Sequence, residues 1–220
     1  MQRNPEFKIR RSVDIGMLGV MFFLMVAQAQ GETAHEWLGI TEMALVIVHQ
    51  VLNRKWYAAL FRGKYSAQRA AAAAVNILLF AAFLLTAVSG MAMSTHAVPF
   101  LYGMIPAMTA RRMHLSASHW WFILMGIHIG FHAAGVTTED RQRSGRCRKW
   151  ISGIIAATGL YLFFRNRIPD YLIDKTPFVY PSFYGPVILM FAENAAMFVF
   201  WVLAGMQIAN LCWRRQKTIK

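Results

Sequence analysis

Six long apolar runs, separated by short clusters of charged residues, constrain the fold of this chain more than any other feature. They lie at 13–30, 35–53, 71–94, 113–135, 150–165 and 184–213. Hydrophobic residues make up 57% of the sequence and charged residues 15%, and about twenty apolar residues cross a bilayer as an α-helix. Because lipid offers the backbone no hydrogen-bond partners, such segments must be helical. The sequence predicts an all-α integral membrane protein, a bundle of about six transmembrane helices in one domain over 1–220.

The positive charge of the chain, a formal net +13, is concentrated at alternate ends of these runs. The basic residues that precede the first run or follow the second, fourth and sixth are Arg3, Lys8, Arg10, Arg11, Arg54, Lys55, Arg62, Lys64, Arg69, Arg141, Arg143, Arg146, Arg148, Lys149, Arg214, Arg215, Lys217 and Lys220. Loops rich in Lys and Arg stay on the cytoplasmic side of a membrane. We therefore expect a multi-pass protein of the cytoplasmic (inner) membrane with both termini inside. Its charge then reflects topology rather than a nucleic-acid partner.

The first run has a second interpretation as a secretory signal. The basic segment KIRR precedes it and the small residues of AQAQ follow it, as in a signal with a cleavage site. Since the chain turns directly from this run into the next, we expect a retained helix.

Histidines recur at a matched spacing in the second and fourth runs. His35 and His49 are fourteen residues apart, and so are His114 and His128. In an α-helix this spacing is about 21 Å along the axis and leaves about 40° around it, so each pair shares one face at two depths. With one run between them the two helices are parallel. This puts His35 level with His114, and His49 level with His128.

Two facing histidine pairs at two heights in a helical bundle can bind two metal centres axially. Haem iron takes two neutral imidazoles, whereas zinc needs about four protein ligands at one level. Without a Cys-x-x-Cys-His motif, the prediction is two non-covalent b haems in a four-helix core over about 13–135, with C-terminal helices over about 150–213. The alternative is histidines that form hydrogen bonds within the bundle, although polar groups at membrane depth are usually functional. Glycines that would let a flat macrocycle or another helix approach closely are Gly39, Gly126 and Gly130.

The remaining histidines have other predicted roles. His132 lies one turn after His128 and close to it in azimuth, so it is a rival inner ligand; contact with a propionate or with the cytoplasmic surface is its alternative. We favour His128 because its spacing matches that of the second run. His119 is turned about 140° from His114 and is predicted to pack in the outer leaflet. His96, in an outer loop, is expected to be solvated.

Cations flank both predicted metal levels. Arg111 and Arg112 precede the outer ligand of the fourth run, while Arg54, Lys55 and Trp56 follow the inner ligand of the second. Haem propionates are anionic, so these residues are candidates to bind them. Simple anchoring at the membrane boundary is the alternative.

Two carboxylates fall inside predicted spans. Glu42 is seven residues from both histidines of its run, and Trp121 is its counterpart on the other helix. Glu42 is expected to be a neutral acid that forms a hydrogen bond with the indole or the backbone. The alternative is that the charge of Glu42 tunes the haem potential. Glu193 is a candidate to accept a proton from a quinol; the alternative is a neutral acid bonded to Asn194 or to a neighbouring helix.

Several segments together resemble the flavinylation-associated cytochrome family, small membrane proteins related in layout to cytochrome b and ferric-reductase-like transmembrane domains. These segments are VHQVLNRKWYAALFRGKY, VSGMAMS, RRMHLSASHWWFILMGIHIGFH and GLYLFFRNRIPDYLIDKTPFVY with ENAAMFVFWVLAGM. The family's histidine motifs fall here on His49, His114, His128 and His132, and His35 fits its upstream position. The resemblance covers most of the chain from the second run onward.

The resemblance implies electron transfer from the membrane quinone pool, through b haems, to an extracytoplasmic protein with covalently bound flavin. No flavin-attachment Ser/Thr motif occurs in this chain, so the flavoprotein would be a separate partner and quinone a possible substrate. A membrane-anchor subunit of a hydrogenase or formate dehydrogenase, or a ferric-reductase-like enzyme, would share the haems. A haem-free ion transporter or assembly protein is the rival from another class.

Overall fold

The computed structural model describes residues 5–26, 31–136, 146–179 and 186–218. These residues form helices and no strand, which confirms the predicted all-α class. The helices are α1 (Pro5–Met25), α2 (Glu32–Leu52), α3 (Lys55–Leu60), α4 (Ala67–Met93), α5 (Ala107–Val136), α6 (Arg146–Arg165), α7 (Ile168–Leu172) and α8 (Val187–Thr218). The described part of each of the six apolar runs therefore lies almost entirely in one long helix.

The connections between the long helices contain short helical turns that the hydrophobic pattern does not predict. They are α3, α7 and a 3₁₀ turn at Pro99–Leu101. Before α4, the Ser66 hydroxyl accepts the backbone N–H of Arg69 at 3.2 Å and caps the helix, as Ser commonly does at a helix start. The Ser66 side chain thus fixes where α4 begins.

Helix α5 lies at the centre of the molecule. It packs between α4 and α8 and also contacts α7, while α6 packs on α8 and α2 on α1. Six consecutive residues of α5, from Trp121 to Gly126, are buried, as expected of a helix that is apolar on all sides. Phe22 of α1 meets Phe122 and Phe198 edge-on, at ring-centroid distances of 6.4 and 5.2 Å. The core thereby joins α1, α5 and α8.

Glycines allow α5 and α8 to approach each other closely. A Cβ placed on Gly126 would lie 2.8 Å from the Cβ of Trp201, and one on Gly130 would collide with the Val202 carbonyl oxygen. A Cβ on Gly39 would meet nothing within 4 Å. For Gly126 and Gly130, the structure therefore shows helix packing as the reason that the residue is small.

Within the described residues, two helices are long and apolar enough to cross a membrane, over Ala67–Met93 and Val187–Trp213. The apolar part of α6, Trp150–Arg165, is shorter. Only 17% and 22% of the residues in the most apolar windows of the two longer helices are buried inside the chain. Their apolar side chains therefore mostly face outward.

Candidate metal centre

The first turn of α2 and the third turn of α5 bring His35 and His114 together. The centroids of the two imidazole rings lie 6.0 Å apart, and the ring planes are inclined by 78°. Toward the other ends of the same helices, His49 lies within range of an electrostatic influence on His128. This order along the two helices agrees with the parallel course expected from the single run between them.

The separation of the outer rings fits two imidazoles on opposite sides of one metal ion. An imidazole nitrogen binds a first-row metal at about 2.0–2.1 Å and lies about 1.1 Å from its ring centre, which gives centroids about 6.2–6.4 Å apart across the metal. The observed distance of 6.0 Å is slightly shorter than this value. The spacing of the outer pair is therefore close to that of two axial histidines on one iron.

The ring of His114 is held by α4. Its Nδ1–H donates to the Thr86 carbonyl at 3.0 Å, and the Ser89 hydroxyl lies 3.4 Å from the same nitrogen. A Cβ on Gly90 would lie 3.1 Å from Cε1 of the ring, so this glycine leaves the space that the ring occupies. A histidine that binds a metal usually donates its other N–H in this way. The lone pair of His114 Nε2 is thus free for a metal.

His35 is held indirectly, through its neighbour Glu36. The Glu36 carboxylate accepts hydrogen bonds from the Ser94 hydroxyl at 2.7 Å and from the backbone N–H groups of Thr95, His96 and Ala97 at 3.1, 2.8 and 2.8 Å. This clasp, residues 94–97 on the Glu36 carboxylate, fixes the outer end of α2 against the end of α4. Within the described part of the chain, the buried Nδ1 of His35 has no hydrogen-bond partner.

The ring of His49 lies between α1 and the end of its own helix. Its Nδ1 is 2.8 Å from Oδ1 of Asp14. The side-chain amide of Asn53 lies 3.4 Å from both ring nitrogens and donates to the His49 carbonyl at 2.9 Å. A carboxylate on Nδ1 fixes the tautomer in which Nε2 carries the lone pair.

His128 and His132 lie side by side on α5, with ring centroids 4.7 Å apart. His128 is half-buried, and its Nδ1 is 2.8 Å from Oδ1 of Asn76 on α4. His132 is exposed. Of the two rival inner ligands, His128 is therefore the one whose ring is held by a hydrogen bond to α4, and its assignment as the ligand stays a prediction.

Glu42 is almost completely buried, at 1% exposure, on the face of α2 between its two histidines. Neither carboxylate oxygen has a hydrogen-bond partner among the described residues. The predicted hydrogen bond to Trp121 is therefore not formed. Trp121 is buried and packs instead against Phe83, with ring centroids 5.9 Å apart. A buried polar group without a partner is costly, and such groups concentrate at functional sites.

The predicted propionate-binding cations differ in their surroundings. Arg112 forms a fork with Asp174, with Nη2 at 2.8 Å and Nε at 3.1 Å from the two carboxylate oxygens, and so holds the loop after α7. Arg111 is exposed. At the inner level Arg54 and Lys55 are exposed as well. Trp56 is half-buried and stacks edge-on with the ring of the next residue, Tyr57, at 5.3 Å.

Glu193 lies on α8 and contacts the end of α6. Its two oxygens accept hydrogen bonds from Arg165 at 2.7 Å and from the amide of Asn166 at 2.8 Å. Asn194 donates instead to the Met190 carbonyl in its own helix, at 3.0 Å. Of the two alternative partners, the neighbouring helix is therefore the one that Glu193 contacts.

The two remaining histidines lie apart from the pairs. His119 is buried, donates through Nδ1 to the Leu115 carbonyl at 2.7 Å and stacks on Tyr171 with centroids 4.3 Å apart. This is the packing role that the sequence predicts. His96 is exposed in the outer loop, and its ring contacts the Glu36 carboxylate at 3.3 Å.

Three side chains of this site do not follow from the histidine pattern: Asp14, Glu36 and Asn76. Asn76 is an isolated polar residue in an otherwise apolar helical stretch, which is a recognised indication of function at membrane depth. Asp14 follows the basic start of α1 and shows no such signal. Glu36 shows no such signal, because its role depends on a loop about sixty residues further along.

Among the residues that the structure describes, no three or more His, Cys, Asp or Glu side chains gather in a way that could hold a metal ion. His35 and His114 meet as a pair from two helices, which is the arrangement that axial haem ligation would need. No protein-family model matches this chain, and no characterised protein or solved structure matches it.

Proposed function

We propose that this chain is a membrane cytochrome b that carries electrons between the two faces of a bilayer through two b haems. His35 and His114 would hold the outer haem, and His49 and His128 the inner one. The observation that carries the proposal is the outer pair, whose rings lie 6.0 Å apart on parallel helices. The N–H of His114 is bound to the Thr86 carbonyl, which leaves its Nε2 free.

The distribution of apolar side chains supports a position in the membrane with six crossings. Large apolar residues are exposed along the long helices, including Phe7, Ile15, Trp37, Ile47, Ile77, Leu78, Leu84, Leu85, Ile154, Phe164, Ile188, Ile208 and Leu211. A soluble monomer rarely exposes apolar patches of more than a few hundred Å². Lipid contact gives these side chains a reason to face outward, and the basic loops support cytoplasmic termini.

The residues of the chain hold, orient and insulate the two sites. When bound, haem supplies the one-electron couple. The α4 contacts through Thr86 and Asn76 hold the rings of the two proposed ligands on α5. On α2, Asp14 holds the ring of His49, and the Glu36 clasp holds the helix end that carries His35. The apolar side chains of α5 exclude water, which keeps the local dielectric low and strengthens the influence of nearby charges.

The electron donor and acceptor follow from the family resemblance. A membrane quinol is the proposed donor and a separate extracytoplasmic flavoprotein the proposed acceptor. A quinol releases two electrons and two protons on oxidation. The electrons would pass one at a time to the haems, while Glu193 would accept one proton at its carboxylate and water the other. Arg165 and Asn166 hold that carboxylate in place.

A reduced-minus-oxidised absorption spectrum and a haem-to-protein ratio test the proposal. Protein purified from cells supplied with haem should show a b-type α-band and contain about two haems per chain. His35→Ala and His128→Ala should each retain about one. Glu32→Ala, which removes an exposed side chain in the first turn of α2, is the control and should retain both.

Absence of the α-band would contradict the cytochrome function and favour the haem-free transporter. Retention of two low-spin haems in both His35→Ala and His128→Ala would instead show that the ligands are wrongly assigned.

A further inference from the structure

Asp14 is the one charged side chain of α1 between Ser12 and Met25. It lies where α1 packs on α2, and its Oδ1 is 2.8 Å from Nδ1 of His49. One turn earlier, Arg10 donates to Oδ1 of Asn53 at 3.4 Å. The ring of His49 is therefore contacted by the carboxylate of Asp14 from α1 and by the amide of Asn53, which follows α2.

The acceptors on the four histidine rings are not equivalent. Nδ1 of His49 has a carboxylate partner, that of His128 has an amide oxygen, and that of His114 has a backbone carbonyl. The buried Nδ1 of His35 has no partner within the described residues. The Glu36 carboxylate next to it is occupied by the clasp hydrogen bonds. Of these four rings, His49 at the inner level is thus the one whose Nδ1 has a negatively charged acceptor.

A carboxylate that accepts the N–H of a metal-bound imidazole fixes the ring and makes it a stronger donor. Both this donation and the negative charge favour the oxidised, more positive metal. Hydrogen bonding and charge around the axial ligands are among the means by which a protein sets a haem potential.

We infer that Asp14 is a positioning residue for His49, which holds its ring and keeps the inner haem at a lower potential than the outer one. This inference rests on the proposed function. Its consequence would be an order between the two sites: a reduced inner haem would give its electron to an oxidised outer haem. The contact between α1 and α2 would thus bias transfer toward the outer face.

A spectroelectrochemical titration of the holoprotein tests the inference. The wild type should titrate as two components. Asp14→Asn keeps an oxygen acceptor and removes the charge, so the lower potential should rise by about 59 mV, which is a tenfold change in a one-electron equilibrium constant. The higher potential should not move. Glu6→Gln, which removes a negative charge two turns earlier on the same helix, is the matched control and should leave both potentials in place.

A second variant shows which haem has the lower potential, without changing Asp14. His114→Ala is expected to keep the inner haem alone, and this haem should titrate at the lower wild-type potential. Titration at the higher potential would overturn the inference, as would two bound haems with unchanged potentials in Asp14→Asn. A wild-type protein without haem would instead refute the proposed function.

Discussion

The carboxylate of Glu36 accepts a hydrogen bond from the Ser94 hydroxyl at 2.7 Å and so ties the outer end of α2 to the end of α4. The backbone N–H groups that follow Ser94 converge on the same carboxylate. Since His35 is the residue before Glu36 and His114 packs on α4, this clasp sets the distance between the two outer rings.

Glu36→Ala should therefore weaken the outer site. Hydrogen bonds to a charged group contribute about 1.5–3 kcal/mol each, so the loss should lower thermal stability and reduce the haem content from about two to about one per chain. Glu32→Ala, an exposed acidic residue in the first turn of the same helix, is the control. Equal haem content in the two variants would show that the clasp does not position His35.

His132→Ala should keep two haems with low-spin spectra, whereas His128→Ala should lose the inner one. The ring of His128 is fixed by Asn76, while His132 is exposed. The measurement is haem content together with electron paramagnetic resonance of the oxidised protein. Loss of the inner haem in His132→Ala but not in His128→Ala would show that His132 is the inner ligand.

Gly90→Val should reduce affinity for the outer haem by about 10- to 100-fold, the effect typical of disturbing a contact behind a metal ligand. A Cβ at this position would press on the His114 ring from 3.1 Å. Gly153→Val imposes the same change on helix propensity where nothing lies within 4 Å of the added carbon. Haem titration of the two variants separates loss of the ring's space from a general helix effect, and equal affinities would contradict the role of Gly90.

Glu42→Leu should stabilise the protein, by about 1–3 kcal/mol, because it removes a buried polar group that has no hydrogen-bond partner. Glu36→Leu, six residues earlier on the same helix, should change stability in the opposite direction. Thermal unfolding in detergent measures both. A destabilised Glu42→Leu protein would mean that the carboxylate is bound by a group such as an internal water.

Glu193→Gln should slow quinol oxidation by about 10²-fold or more, as expected when a group that transfers protons is removed. The amide can still accept from Asn166 but cannot take up the proton. Arg165→Gln breaks the same ion pair and leaves the carboxylate, so it separates the loss of the pair from the loss of the base. Unchanged quinol oxidation in Glu193→Gln would remove the proposed proton role.

The long helices could be predicted from the apolar runs because a continuous run of about twenty apolar residues favours one long helix. The short helices α3 and α7 could not, since their formation depends on the chain reversals between longer helices. For Glu42, the sequence predicts one property and misses another. Its burial follows from its place on the histidine face, but its lack of a hydrogen bond to Trp121 depends on how that indole packs against Phe83.

Helical periodicity alone predicts which histidines share a face and how far apart they lie along the axis, because it does not depend on neighbouring helices. The hydrogen-bond partner of each imidazole ring follows only from the tertiary packing. Asp14 is 35 residues from His49, and Asn76 is 52 residues from His128. Contacts over such separations depend on the packing of α1 and α4 against the histidine helices, which no local pattern encodes.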